Sequence, residues 1–252
     1  MARRFTRFGG FCDGKSMSNE TATVAAAKPD GGYARIAHPV HTIVLLVALG
    51  VWAYFGKIRA EHMRDAAEVN RVFIYLRTMI FEWLTVGYIV LGVRWNGSSL
   101  ATVFGERWRS IREMGRDLGI GMVFLVVPIA IGAVFGGHGA GADRSVSYLL
   151  PVTGQEKLLW IALSLTAGIC EEAVNRGYLQ RQFTAMTGNA GVAIVLQGIV
   201  FGGLHLYQGA RRAIPIAVLG IALGVLAHWR KSVRPGMFEH SFQDMMAVFV
   251  RH

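Results

Sequence analysis

Two adjacent acidic residues, Glu171 and Glu172, stand at the end of a strongly apolar stretch, LLWIALSLTAGIC, and Arg176 follows one helical turn later. A charged side chain at the centre of a bilayer costs about 2.5 to 3.5 kcal/mol even on the lower estimates, so a carboxylate at that depth points to a function. The chemistry open to such a carboxylate is that of a general base, which takes a proton from a reacting group such as water.

The spacing of this EEAVNR motif gives the two acids different tasks. Residues four apart share one face of a helix, so Glu172 and Arg176 are predicted to form an ion pair in the favoured acid-first order. Glu171 lies about 100° round the helix and points elsewhere. Glu171 is therefore the predicted base, and Glu172 is predicted to fix the helix through Arg176.

Two further motifs carry groups that can move protons or donate hydrogen bonds. FGGLH places Phe201 and His205 on one helical face, and the two glycines between them allow a neighbouring helix to approach closely. HSFQD places His240 and Asp244 one turn apart on a shared face, where the carboxylate can accept from the imidazole and fix its tautomer. Each motif by itself also fits polar residues at a membrane boundary.

The elements that position these motifs are predicted to be membrane helices. The 252-residue chain is 53% hydrophobic and only 17% charged, which is unusual for a soluble domain. A helix needs roughly 20 mostly apolar residues to cross the hydrocarbon core, and about seven segments (between about six and eight) approach that length. This pattern predicts an all-α, polytopic membrane helix bundle. The segments are Pro39–Gly56, Val72–Val93, Leu118–Gly136, Lys157–Tyr178, Ala190–Leu206, Ile214–Trp229 and Met237–Val250.

The net charge of +10 is distributed in a way that argues against a nucleic-acid partner. The arginines collect between the apolar segments, and the positive-inside rule then predicts an N-terminus on the inner side of the membrane. From Arg94 to Arg116, large apolar residues alternate with arginine and glutamate at helical spacing. This alternation predicts one amphipathic helix in the headgroup layer.

The chain is predicted to divide into three parts. Residues 1–38, rich in small and polar residues, are expected to form a flexible tail. Residues 39–116 comprise the N-terminal membrane helices and the basic amphipathic segment, and residues 117–252 form the bundle that carries the three motifs. Two cysteines, Cys12 and Cys170, exclude a disulfide framework and a cysteine-cluster metal site.

Taken together, the three motifs resemble those of the CPBP family of intramembrane proteases, also called the Abi family. This family includes the CAAX prenyl endopeptidases and bacteriocin-processing or immunity proteins. The resemblance covers about Lys157 to Val250, with the EExxxR, FxxxH and HxxxN/D patterns in the family's order on successive apolar segments. It implies an integral membrane endopeptidase, and the cytoplasmic membrane of a bacterium is the expected location.

The resemblance also implies a role for each motif residue. Glu171 and His205 would activate a water for attack on a peptide bond, and His240 with Asp244 would stabilise the oxyanion. Glu172, Arg176 and Phe201 would support the site structurally. The prenyl endopeptidases carry Asn where this chain has Asp244; an ionised carboxylate cannot donate to an oxyanion, so we expect Asp244 to hold His240 or to be protonated itself.

The expected mechanism uses no cofactor, and a zinc-dependent version is the alternative, with Glu171, His205 and His240 as ligands. The HExxH motif of many zinc peptidases is absent from the sequence.

Two further functions remain open: a non-catalytic CPBP-like protein that binds a partner or confers bacteriocin immunity, and a proton-coupled transporter. The expected partners are a peptide or membrane-protein substrate and the lipid bilayer, and the sequence does not indicate an oligomeric state. Arg77 and Glu82, in the second apolar segment, are predicted to lie outside the site.

Overall fold

The chain folds as a bundle of α-helices. The structure, a computed structural model, describes residues 34–64, 68–135 and 147–249, and these ranges contain helices and turns but no strand. The helices are α1 (Pro39–Arg64), α2 (Arg71–Trp95), α3 (Ala101–Phe104), α4 (Ile111–Phe124), α5 (Val126–Phe135), α6 (Gly154–Glu172), α7 (Gln180–Thr187), α8 (Ala190–Leu204), α9 (Ala210–Arg230) and α10 (Arg234–Met245). A π-helix, Ala173–Leu179, joins α6 to α7 without a break.

The predicted all-α membrane bundle is confirmed. Among the described residues, five helical spans are long and apolar enough to cross a bilayer: Pro39–Met63, Arg71–Trp95, Ile111–Phe135, Gly154–Thr187 and Ala210–Arg230. The other two predicted segments are also helical but shorter, with 15 residues in α8 and 12 in α10. Large apolar side chains on the outer faces are exposed, as expected of a surface that contacts lipid.

The third span is built from two helices. α4 ends at Phe124 and α5 begins at Val126. Pro128 lies in the first turn of α5, where its lack of an N–H removes the hydrogen bond to the carbonyl four residues earlier. The proline thus explains why the 25-residue span Ile111–Phe135 is interrupted near its middle.

The predicted single amphipathic helix between Arg94 and Arg116 is not formed. The segment is divided among the end of α2, the four-residue α3 and the beginning of α4. Gly97 and Gly105 adopt positive φ angles of 71° and 81°, which L-residues rarely adopt and which end a helix. Ser110 then accepts from the N–H of Glu113 and caps α4.

The predicted flexible tail, residues 1–38, lies outside the described residues as far as residue 33. Just before α1, the side-chain oxygen of Gln182 accepts from the backbone N–H groups of Ile36 and Ala37. Both of these residues are buried. The chain that leads into α1 is therefore bound to α7.

α1 is also bound to the π-helix through polar side chains. Tyr178 Oη lies 2.7 Å from His41 Nδ1 and 3.0 Å from Thr42 Oγ1. Gln182 donates to the same threonine oxygen over 2.7 Å. Since hydrogen bonds in an apolar setting are costly to leave unmade, this network fixes α1 against the segment that follows the acidic pair.

α10 lies closely against α6, and a glycine makes the approach feasible. A Cβ atom added at Gly168 would lie 2.6 Å from the backbone nitrogen of Ser241 and 2.8 Å from the carbonyl oxygen of Met237. No side chain fits there without moving a backbone. The two helices that carry the first and third motifs thus meet at Gly168, three residues before Glu171.

Candidate active site

The acidic pair occupies the last turn of α6, where the helix changes type. Glu171 and Glu172 are followed directly by the seven-residue π-helix. π-Helices are rare in proteins, but those that occur are frequently found at functional sites. Each of their hydrogen bonds spans one residue more than in an α-helix, which redirects the side chains. Asn175, within the π-helix, donates from its side chain to the carbonyl oxygen of Glu171 over 2.9 Å, which satisfies a backbone group at the transition.

The predicted ion pair between Glu172 and Arg176 is present. Arg176 Nη1 donates to Glu172 Oε1 over 2.6 Å, and both side chains are fully buried. Nη2 of the same arginine donates to the carbonyl oxygen of Gly220 in α9 over 3.2 Å. A buried charge is tolerated only when it is paired and hydrogen-bonded, and Arg176 thereby connects α6 to α9 through the π-helix.

Glu171 and His205 face each other from different helices. His205 is the C-cap of α8, and its Nδ1 lies 2.8 Å from the carbonyl oxygen of Phe201. A carbonyl oxygen only accepts, so Nδ1 carries the hydrogen and, in the neutral ring, Nε2 is left as an acceptor. This Nε2 lies 4.0 Å from Glu171 Oε2.

His240 lies among three carboxylates. Its Nδ1 is 3.4 Å from Glu172 Oε1, and its Nε2 is 3.5 Å from Asp244 Oδ2 and 3.9 Å from Glu171 Oε2. Carboxylate oxygens accept hydrogen bonds and do not donate them when ionised. The surroundings therefore favour a hydrogen on both ring nitrogens of His240, with Nε2 on the side of Glu171.

Phe201 is the apolar support of this group. Its buried ring lies 4.8 Å from the ring of His205 and 5.8 Å from that of His240, measured between centroids. On another side, the guanidinium carbon of Arg176 is 4.2 Å from the centre of the ring, close enough for a cation–π interaction. The three predicted motifs are thus brought together around one aromatic ring.

A cavity of about 910 Å³ is lined by side chains from all three motifs, namely Glu171, Phe201, His205, His240 and Asp244. Glu171 and Asp244 are its most exposed acids, with side-chain exposures of 24% and 35%, whereas His240 is 7% exposed. The cavity extends to the turn after His205 and to the first turn of α9. A second cavity, of about 200 Å³, reaches Glu171 and His205 from between α1 and α2 and has mainly apolar walls.

The segment that carries the three motifs is similar to a known family. Residues 153–246 match the family described as Rce1-like, type II CAAX prenyl endopeptidase. Similarity to this family defines the Rce1-like segment of the chain. The match confirms the resemblance predicted from the three motifs, and it supports peptidase activity in general within an integral membrane protein. It covers less than half of the chain and contains every predicted site residue. Neither the curated proteins nor the solved structures gave a match.

Glu82 corrects a prediction about the part of the chain outside the Rce1-like segment. Its side chain was expected to lie away from the site, yet it is 8% exposed and lines both cavities together with Glu171 and His205. Its Oε2 atom is buried without a hydrogen-bond partner among the described residues. The signal was present in the sequence, since Glu82 is an acid in the middle of an apolar span.

Glu239 is a second acid that sequence reasoning missed. It precedes His240, is fully buried, and neither of its carboxylate oxygens has a hydrogen-bond partner among the described residues. It interacts electrostatically with Glu172, His240 and Arg176. Glu172 and Glu239 are therefore two buried carboxylates of the Rce1-like segment, and of the two only Glu172 accepts a hydrogen bond from Arg176.

The zinc alternative can be compared with the positions of its predicted ligands. Ligand atoms about 2.0 to 2.2 Å from a tetrahedral zinc ion stand roughly 3.3 to 3.6 Å apart. The corresponding separations from Glu171 Oε2 are 4.0 Å to His205 and 3.9 Å to His240. Within the part of the chain that the structure describes, no group of three or more His, Cys, Asp and Glu side chains has the arrangement of a metal site, so no step below uses a metal.

Proposed function

We propose that this protein is a glutamate-dependent intramembrane endopeptidase in which Glu171 and His205 activate a water molecule. The observation that carries the proposal is the 4.0 Å separation of Glu171 Oε2 and His205 Nε2, two acceptors that face the same cavity. Two acceptors cannot bond to each other directly. A water molecule can donate one hydrogen to each over ordinary hydrogen-bond distances of about 2.8 Å, and both groups then polarise it.

The reaction balances with these groups alone. Glu171 takes a proton from the water while the oxygen attacks the carbonyl carbon of the peptide bond, which gives a tetrahedral intermediate with a negatively charged oxygen. The proton is then passed to the amide nitrogen and the carbon–nitrogen bond breaks. The new carboxylic acid gives its remaining proton to the amine, so the products are a carboxylate and a protonated amine, and Glu171 is returned to its starting state.

His240 is proposed to stabilise the oxyanion by donating from Nε2. A donor aimed at the developing charge in a site of low dielectric is commonly worth about 10² to 10³ in rate. Glu172 lies 3.4 Å from the other ring nitrogen and orients the ring from behind. Asp244 lies 3.5 Å from Nε2 and holds the ring until the substrate arrives, so Asp244 positions His240 and does not itself donate.

The test compares the wild-type protein with Glu171→Gln and His205→Ala, reconstituted in liposomes with fatty-acylated random decapeptides. Products are identified by mass spectrometry. We expect both variants to lose cleavage by at least about 10²-fold while they keep the wild-type thermal unfolding curve. Full activity in either folded variant would refute the roles given to Glu171 and His205. A wild-type protein that cleaves no peptide would favour the alternative of a non-catalytic binding or immunity protein.

The larger cavity reaches one end of the bundle, and we infer that a substrate approaches from this end. Its lining includes Leu149, Tyr207 and Arg211, at the end where α6 and α9 begin, away from the basic segment 94–116. With the predicted inside N-terminus, this end faces the outer side of the membrane.

Membrane-impermeant thiol labelling tests this orientation. In a Cys12→Ser background, Val152→Cys should be labelled in intact cells, since Val152 is 58% exposed just before α6. Arg109→Cys, in the segment before α4, should be labelled only after permeabilisation. The reverse pattern would show that the cavity opens to the cytoplasm.

A further inference from the structure

Glu82 and Glu171 are the two acids that line both cavities in the part of the chain that the structure describes. Glu171 comes from α6, and Glu82 comes from α2, which packs against α6 and lies outside the Rce1-like segment. Both cavities therefore present a pair of carboxyl groups, one from each helix. The mechanism proposed above gives a task to Glu171 and none to Glu82.

The surroundings of Glu82 favour its neutral, carboxylic acid form. The side chain is buried, and Oε2 has no hydrogen-bond partner among the described residues. Two of the charged groups that interact with it electrostatically are acids, Glu171 and Asp244, and the third is His240. Arg77, the closest basic residue along α2, lies instead over an aromatic ring of α1, with its guanidinium carbon 4.9 Å from the ring centre. Because an unpaired buried charge costs far more than a neutral carboxyl group, Glu82 keeps its proton.

We propose that Glu82 is the general acid of the reaction and gives its proton to the departing amide nitrogen, whereas Glu171 takes a proton from the attacking water. This inference rests on the proposed endopeptidase function and adds a catalytic residue to it. Two carboxyl groups whose surroundings hold them in different protonation states can divide the acid and base roles between them. Tyr207 also lines both cavities, but a phenol, with an ordinary pKa of about 10, is a much weaker acid.

The proton transfers balance with the two carboxyl groups. After the water has attacked, Glu171 carries the proton of the water and Glu82 still carries its own. The nitrogen of the tetrahedral intermediate takes the proton of Glu82 as the carbon–nitrogen bond breaks, and the electron pair of that bond leaves with the nitrogen. The oxyanion becomes the carbonyl oxygen of the new carboxylic acid. Glu171 then returns its proton to the ionised Glu82, directly or through a water molecule, and both groups regain their starting states.

The experiment compares two substrates that differ in whether the leaving group needs a proton. One is an acylated decapeptide that the wild-type protein cleaves, and the other is the same peptide with a thioester in place of the cleaved amide bond. A nitrogen leaves only when it is protonated, whereas a thiol, with a pKa of about 8.5, leaves as the thiolate. Loss of a general acid should therefore slow cleavage of the amide and spare the thioester.

Glu82→Gln keeps the shape of the side chain and removes its acidic proton. In reconstituted liposomes, its kcat for the amide should fall by about 10²-fold with KM unchanged, while its kcat for the thioester stays close to wild type. Glu171→Gln, which removes the base, should slow cleavage of both substrates. If Glu82→Gln does not fold, Glu82→Asp supplies the same comparison, because it keeps the proton on a shorter side chain. Amide cleavage by Glu82→Asp should fall more than thioester cleavage.

The matched control is Glu239→Gln, the same replacement at a fully buried acid that lines neither cavity. It should change the rates for the two substrates by the same factor. A selective loss of amide cleavage in Glu239→Gln as large as that in Glu82→Gln would overturn the proposal, because removal of a buried charge would then explain both.

The remaining outcomes separate the proposal from the function on which it rests. Equal losses for the amide and the thioester in Glu82→Gln would show that Glu82 supports the site without donating a proton, and wild-type rates for both would show that it has no part in the reaction. Either result would overturn the proposal and leave the endopeptidase function intact. No cleavage of the amide by the wild-type protein would remove the endopeptidase function, and the proposal with it.

Discussion

Replacement of Gly168 by alanine should weaken catalysis without touching any proposed catalytic group. The added Cβ would lie 2.6 Å from the nitrogen of Ser241 and 2.8 Å from the carbonyl oxygen of Met237, whereas ordinary van der Waals contact begins at 3.4 Å. Both atoms belong to the backbone of α10 and cannot rotate away. α6 and α10 must therefore move apart by about 0.6 to 0.8 Å.

This shift reaches the site directly, because His240 precedes Ser241 in α10. The distances of 3.4 Å from His240 to Glu172 and 3.9 Å to Glu171 should both lengthen. A displacement of about 1 Å in a catalytic group can cost 10²-fold in rate, so we expect Gly168→Ala to lower kcat/KM by about 10- to 100-fold. Overpacking of this kind should also cost about 1 to 3 kcal/mol of stability.

The measurement is the initial rate of peptide cleavage in liposomes, with thermal unfolding in detergent recorded on the same preparation. The matched control is Gly203→Ala in α8, two residues from His205, where an added Cβ meets no atom within 4 Å. This control should retain the wild-type rate and gain up to about 1 kcal/mol in helix propensity. Wild-type activity and stability in Gly168→Ala would refute the close crossing of α6 and α10.

Three other predictions concern the charged groups. Arg176→Ala should lower the free energy of unfolding by about 3 to 5 kcal/mol, because it leaves Glu172 buried without its partner. A decrease in unfolding temperature no larger than that caused by replacing an exposed arginine would contradict this prediction. Asp244→Asn should keep cleavage within about tenfold of wild type, since the amide oxygen still accepts from His240, whereas Asp244→Ala should lose more; equal losses would disprove the positioning role. A zinc chelator should leave the rate unchanged, and loss of activity that added zinc restores would establish the metal-dependent alternative.

The sequence predicted which motifs come together better than it predicted how their side chains are arranged. The three motifs were each assigned to a helix, and the structure places Glu171, His205 and His240 around Phe201 as separate helices converge. The predicted ion pair of Glu172 and Arg176 forms although Arg176 lies in a π-helix and not in the expected α-helix. Both side chains are still on the inner side of the bundle. These features follow from local spacing, which a sequence displays.

The remaining features depend on contacts distant in the sequence. The π-helix after Glu172 is held by Asn175 and by the docking of α1 on Tyr178, and no local pattern marks it. Glu82 joins the site from α2, 89 positions before Glu171, and the i,i+4 rule could not relate the two. The amphipathic segment between Arg94 and Arg116 was predicted from its periodicity, but two glycines with positive φ interrupted it.

The shortness of α8 has a consequence for the surrounding membrane. Its 15 residues extend about 22 Å, whereas the hydrocarbon core is about 30 Å thick. Its outer face, with Val192, Val195 and Ile199 between 44% and 58% exposed, is expected to contact lipid. Acyl chains beside α8 must therefore compress or tilt, which thins the bilayer locally at a cost that rises with chain length. We expect cleavage to be faster in short-chain than in long-chain lipids, which makes membrane thickness a control on the enzyme.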